Sequence, residues 1–214
     1  MASDALSSID KIIDTNGVMI AQSQMKQNSS TKILGVLDKI TKALSEDLNE
    51  ENNTYVIEKR NIALRVSLIN QTQDYVAVTS SNNRRGKVVV DIQQDSGSAF
   101  NDDVSGIIKL PKLLMENYKR PIVRAINHRN AILFLTEEQM KELSDTKKLT
   151  GKIATGNVLS ASLGDHKLER LDQPVTISFK NASKSVGSGV CKFWDFDKGS
   201  FFMSFLPRYR GGSN

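Results

Sequence analysis

The stretch TYVIEKRNIALRVSLINQTQDYVAVTSSNNRRGKVVVDI, residues 54–92, decides the fold class. It holds four short runs rich in β-branched and aromatic residues: Tyr55–Ile57, Ile62–Leu68, Tyr75–Val78 and Lys87–Ile92. Such side chains fit a pleated, half-buried surface. Turn chemistry separates the runs, as in Ser80-Ser81-Asn82-Asn83. Short strands at this spacing, with no long helical pattern between them, predict antiparallel pairing in a sandwich rather than a βαβ chain.

Upstream the period changes. Leu6, Ile9, Ile13 and Ile20 recur near 3.6 residues, broken by the turn-like Asn16-Gly17. Ile33, Leu37, Ile40, Leu44 and Leu48 step by four, three, four and four. The first fifty residues therefore read as two amphipathic helices, the second with Ser30 as its N-cap and Glu46–Glu51 as a polar end. Downstream, Ile122–Ile126, Ala131–Phe134, Val158–Leu163 and Val175–Phe179 read as strands. Leu110–Glu116 and Glu137–Leu143 read as single helical turns. The expected class is α+β: a helical subdomain over 1–53, an antiparallel β-sandwich over 54–197, and a divergent tail over 198–214.

The 214 residues are 39 % hydrophobic and 25 % charged, an ordinary globular balance. A net charge of +5 favours anionic partners. The densest basic cluster is Arg84, Arg85 and Lys87, with pairs at Lys119/Arg120 and Lys147/Lys148. Aromatics do not interleave with these residues, which argues for solvated faces and against a nucleic-acid footprint. No apolar run reaches the ~18 residues of a membrane span. The start, MASDALSSIDKIID, lacks the apolar core of a signal peptide.

Chemistry-bearing residues are sparse. His128 and His166 fall in expected turns, without other ligands at metal spacing. Gly187-Ser188-Gly189 lacks the lysine and helix start of a phosphate cradle. Asp102-Asp103 and Glu137-Glu138 are adjacent pairs whose side chains diverge. No catalytic residue, cofactor or metal ligand is expected. The lone Cys191 has no partner for a disulfide within the chain. It is either a buried thiol or half of a bridge in a secreted module, and a core cysteine beside a core tryptophan outweighs an activated nucleophile. A cytosolic adaptor or a nucleic-acid-binding protein centred on Arg84-Arg85-Gly86-Lys87 is the alternative class. Four Asn-x-Ser/Thr sequons, at Asn28, Asn52, Asn70 and Asn181, are candidate glycosylation acceptors. Their number is close to what composition alone would give.

In the last third, Val158–Gly164, Leu171–Phe179 and Cys191-Lys192-Phe193-Trp194-Asp195 follow in order. This succession resembles the GAIN domain of adhesion G-protein-coupled receptors, and IVRAINHRNAILF, ending at Phe134, is similar to that family's strand hairpin. The resemblance implies a non-catalytic extracellular juxtamembrane module. It implies as partners the C-terminal strand and the seven-helix membrane domain of the same receptor. It makes Cys191, Phe193 and Trp194 the opening of the proteolysis-site motif: a disulfide half and two core aromatics. The match departs after Asp197. Family members continue to a His-Leu-Thr or His-Leu-Ser, where the histidine activates the hydroxyl for an N-to-O acyl shift. Lys198–Asn214 holds no cysteine, histidine or threonine, so self-cleavage is not expected. Loss of a final strand would bare strand edges and apolar surface. Phe201, Phe202, Phe205 and Leu206 are the candidates for a substitute strand.

Overall fold

A computed structural model describes residues 1–70, 75–93, 103–116, 118–146, 158–165, 171–180, 192–195 and 200–203. Three helices come first, α1 (Ala2–Ile13), α2 (Gly17–Gln27) and α3 (Ser29–Glu46), where the hydrophobic period had suggested two. Asn16 ends the first segment and caps the second, its Oδ1 accepting from the Val18 N–H at 2.9 Å. Gly17 packs closely here: a Cβ would lie 2.9 Å from Ile132 Cδ1, and that side-chain end would have to move aside. The α2–α3 junction is a single residue, Asn28, in the left-handed region at φ +53. Ser30 is not the cap. It lies buried in the first turn of α3, and its N–H donates to Gln24 Oε1 at 2.6 Å. The side chain of the preceding helix thus satisfies one of the donors that a helix start leaves open.

The strands, in chain order, are β1 (Thr54–Glu58), β2 (Ile62–Leu68), β3 (Tyr75–Asn82), β4 (Val88–Gln93), β5 (Val104–Pro111), β6 (Ile122–His128), β7 (Val158–Leu163), β8 (Thr176–Phe179), β9 (Lys192–Asp195) and β10 (Ser200–Met203). One sheet has the order β1-β2-β6-β7 and a second the order β4-β3-β5-β8, with every pair antiparallel. A short helix α4 (Lys112–Glu116) follows β5, and α5 (Glu137–Thr146) lies between β6 and β7.

Two expectations are corrected. β5 was not anticipated, because Gly106 and Pro111 punctuate it, yet it is a central strand of the second sheet. Gly106 is there because a Cβ would meet the Phe179 ring at 2.9 Å and Ser80 Oγ at 3.0 Å. Ala131–Phe134 is not a strand. Asn130 Oδ1 accepts from the Ile132 N–H at 3.1 Å, and the chain turns into a short 3₁₀ segment, Ile132–Phe134. The hairpin expected after Ile126 is therefore absent, and β6 pairs instead with the distant β7.

The chain builds three layers. The inter-sheet core joins Ala63, Val123, Ala125, Leu159 and Leu163 of the first sheet to Val76, Val78, Val88, Val90, Ile108 and Leu110 of the second. The opposite face of the first sheet, through Ile62, Leu64 and Val66, packs on Leu6, Ile9, Ile13, Ile20, Leu34 and Leu37 of the helices. Successive side chains of a strand alternate faces, so β2 feeds both cores at once. Arg124 of β6 ties the helical layer down. Its Nη1 lies 3.7 Å from Asp38 of α3 and 3.4 Å from Asp165, its Nε donates to Ser162 Oγ at 3.1 Å, and its Nη2 donates to the Gly164 carbonyl. Lys42 of α3 reaches the same Asp165 at 2.7 Å.

Leu64 is fully buried between β2 and the helices. Leu64→Ala is expected to lower unfolding free energy by about 2–5 kcal/mol, read as a shift in the urea midpoint. A loss below about 1 kcal/mol would show that the helices contribute little to the core.

Candidate functional site

The residues singled out from sequence lie mainly at the C-terminal end. β9 and β10 form a two-stranded antiparallel sheet, with Phe193 opposite Phe202 and Trp194 opposite Phe201. This is the strand expected of Phe201 and Phe202, and it pairs with the aromatic strand rather than joining either four-stranded sheet among the described residues. Cys191, Asn181, His166, Phe205 and Leu206 lie outside the described residues.

Among the described residues the second sheet ends at β8. Ile177 lies opposite Ile108 and Phe179 opposite Gly106, and Ile108 belongs to the inter-sheet core. Register thus puts Ile177 and Phe179 on the inner face of the sandwich, yet each is 58 % exposed. Inward-facing apolar side chains left this open on an edge strand are a place for another strand or cover to sit. The other end of that sheet is closed. Asn127 Nδ2 of β6 donates to the Val89 carbonyl of β4 at 2.8 Å, and Arg65 of β2 pairs with Asp91 of β4 at 2.7 Å.

The catalytic possibilities are few. Among the described residues no group of three or more His, Cys, Asp or Glu is arranged to hold a metal ion. His128 is not in an exposed turn. It closes β6, is 2 % exposed and meets Phe134 edge-on at 5.1 Å between centroids. Burial lowers its pKa to about 4. An imidazole kept neutral in an apolar pocket, out of reach of solvent, is part of the core. No described helix is long and apolar enough to cross a membrane.

Three sequon asparagines are described, and all are exposed: Asn28 at the α2–α3 junction, Asn52 before β1 and Asn70 after β2. Asn52 Nδ2 donates to Tyr55 Oη at 2.6 Å. The sequence reading missed Arg124 as an organising residue, since an isolated arginine inside an apolar run carries no local sign of its partners. It also missed the capping box of α5. Thr136 Oγ1 accepts from the Gln139 N–H at 3.2 Å, and Gln139 Oε1 accepts from the Thr136 N–H at 2.9 Å. That signal was readable as Thr136-Glu137-Glu138-Gln139.

Comparison with known proteins bears on this architecture. A family model described as GAIN subdomain B, with the short name GPS, matches residues 61–201. The match runs from the turn before β2 through every strand of the two four-stranded sheets but β1 and into β10, four residues past Asp197, where the resemblance is expected to stop. No curated protein sequence matches the chain. Among solved structures, the full extracellular region of zebrafish Gpr126/Adgrg6 is similar, with a TM-score of 0.64 and 15 % identity over 86 % of this chain. The chain spans 23 % of that structure's length. At this identity the likeness is one of fold.

The buried imidazole makes stability depend on pH. An unfolded chain takes up a proton on His128 near 6.5, while the folded one resists to about 4. Between those values the unfolded state binds more protons, so stability falls as pH falls through the window and is complete above it. From pH 7 to 4.5 the wild-type chain is expected to lose about 2–3 kcal/mol more than His128→Leu, compared by urea unfolding at both pH values. Equal losses would place the proton elsewhere.

Proposed function

The chain belongs to the GAIN subdomain B family, and on that premise we propose that it serves as the extracellular, membrane-proximal module of an adhesion receptor, a signalling and attachment element with no catalytic turnover. The observation that carries this reading is the continuous family match across both sheets and into the C-terminal hairpin. The likeness to a receptor's extracellular region supports it.

In this reading residues 1–53 form the helical subdomain, 54–197 the sandwich that holds the receptor's final strand, and 198–214 a divergent tail. The partners are that strand and a seven-helix membrane domain. The half-open inner face at Ile177 and Phe179 is where such a strand would complete the sandwich. Phe193 and Trp194 are core aromatics of the proteolysis-site motif, and Cys191 is half of a bridge whose partner lies outside these 214 residues. Self-cleavage needs a histidine followed by Leu-Thr or Leu-Ser, and residues 1–214 contain no such tripeptide. The chain therefore stays in one piece. Asn28, Asn52, Asn70 and Asn181 are its glycan acceptors.

An antibody against the exposed α3 surface tests the location. Staining of unpermeabilised cells that express the protein is expected, and staining only after permeabilisation would overturn an extracellular role. On denaturing gels the glycosidase-treated protein should lose mass relative to the untreated one. The glycosidase-treated chain should migrate as a single species near 23.7 kDa. Two fragments accumulating on incubation would contradict the absence of self-cleavage.

A further inference from the structure

One end of the sandwich gathers positive charge. The turn between β3 and β4 carries Arg84, Arg85 and Lys87, and Arg129 follows directly on β6. All four are exposed. Their backbone is fixed. Asn83 Oδ1 accepts from the N–H groups of Arg85 and Lys87, each at 3.0 Å, the Asn83 N–H donates to the Lys87 carbonyl at 2.9 Å, and Gly86 adopts φ +70. Arg129 Nη1 donates to the Gly86 carbonyl at 2.9 Å, and its own N–H donates to the Asn61 carbonyl at 2.8 Å. Two chain segments are thereby held side by side.

The carboxylates that reach this cluster through Asn61 are engaged by other groups. Asp14 is taken by Arg60 at 3.4 Å, and Asp10 Oδ1 by the Asn61 N–H at 2.7 Å. Among the described residues no carboxylate lies within ion-pair distance of Arg84, Arg85, Lys87 or Arg129. Solvated surface charge usually alternates in sign, whereas three unpaired cations on one hydrogen-bonded turn, with a fourth held beside it, make a cluster of one sign.

We propose that this end of the sandwich, through Arg84, Arg85, Lys87 and Arg129, docks a sulfated polysaccharide. Three of the four are arginines, whose planar guanidinium suits oxyanions bidentately. Asn82–Val88 and His128–Asn130 contain no Phe, Tyr or Trp, so the base-stacking platform of a single-stranded nucleic-acid site is missing. Neither segment presents the exposed apolar flank of an interfacial membrane contact. The choice of a sulfated glycan over other polyanions rests on the extracellular reading above, while the binding measurement does not depend on it. Failure of that reading shows in the antibody staining, and failure of this one on the column.

The test is heparin affinity of the purified full chain. The wild-type chain should be retained and eluted by salt, and chemically desulfated heparin should not retain it. Arg84→Ser/Arg85→Ser/Lys87→Ser should weaken binding at least tenfold. Arg129→Ser alone should weaken it several-fold. Lys26→Ser/Lys32→Ser/Lys39→Ser removes the same charge from exposed helix positions and should change binding less than threefold. Circular dichroism confirms folding of each variant, and Arg84→Ser/Arg85→Ser gives a second reading at two fully solvated positions. Equal loss in both triple variants would mean that net charge alone drives retention and would overturn the site. So would no retention at low salt. Duplex DNA or phosphatidylserine vesicles bound as tightly as heparin, with the same dependence on Arg84 and Arg85, would replace the glycan with a nucleic acid or a lipid surface.

Discussion

Everything in this chain depends on one sheet being buried on both faces. β2 shows the constraint in a single strand: Ile62, Leu64 and Val66 face the helices while Ala63 faces the other sheet. A sheet that meets water on neither side must be covered twice. The second sheet supplies one cover and the amphipathic helices the other, and neither face of the first sheet is stable without its layer. Arg124 lies in this doubly covered sheet because its charge is met from both α3 and the turn after β7.

Sequence made the layers legible and the details less so. Alternating and helical periods located every strand of the first sheet, since those runs are rich in Val, Ile and Leu. The α+β class followed from their order. β5 escaped because a glycine and a proline interrupt it, and the glycine is there for a tertiary reason that no local pattern encodes: a ring from β8 lies where its side chain would go. Ala131–Phe134 has the composition of a strand, but a local bond from Asn130 bends it before it can pair. α2 was read as a continuation of α1, because Asn16-Gly17 was taken as an irregularity rather than as a cap. The site was less legible than the fold. Cys191-Lys192-Phe193-Trp194-Asp195 pointed to the family, while the open inner edge at Ile177 and Phe179 depends on register, and the organising arginine on residues far away in sequence.

The family reading and the physics meet at that open edge. In the role proposed above the sandwich holds a strand, and inward-facing apolar side chains along an edge are what such a strand would cover. Among the described residues the one histidine packs against Phe134, and Arg124 joins the first sheet to Asp38 of α3.

The two ends of the second sheet are unlike each other. At β4 the sheets are stitched by Asn127 to the Val89 carbonyl and by Arg65 to Asp91, and at β8 two apolar side chains face inward with little over them. The sandwich is bound like a book, with a spine at β4 and a fore-edge at β8. Among the described residues the contacts that join the sheets at β4 have no counterpart over Ile177 and Phe179, so a load on the β8 side meets less resistance than one at the spine. The fold thus gives a mechanical load a preferred direction before any partner is bound.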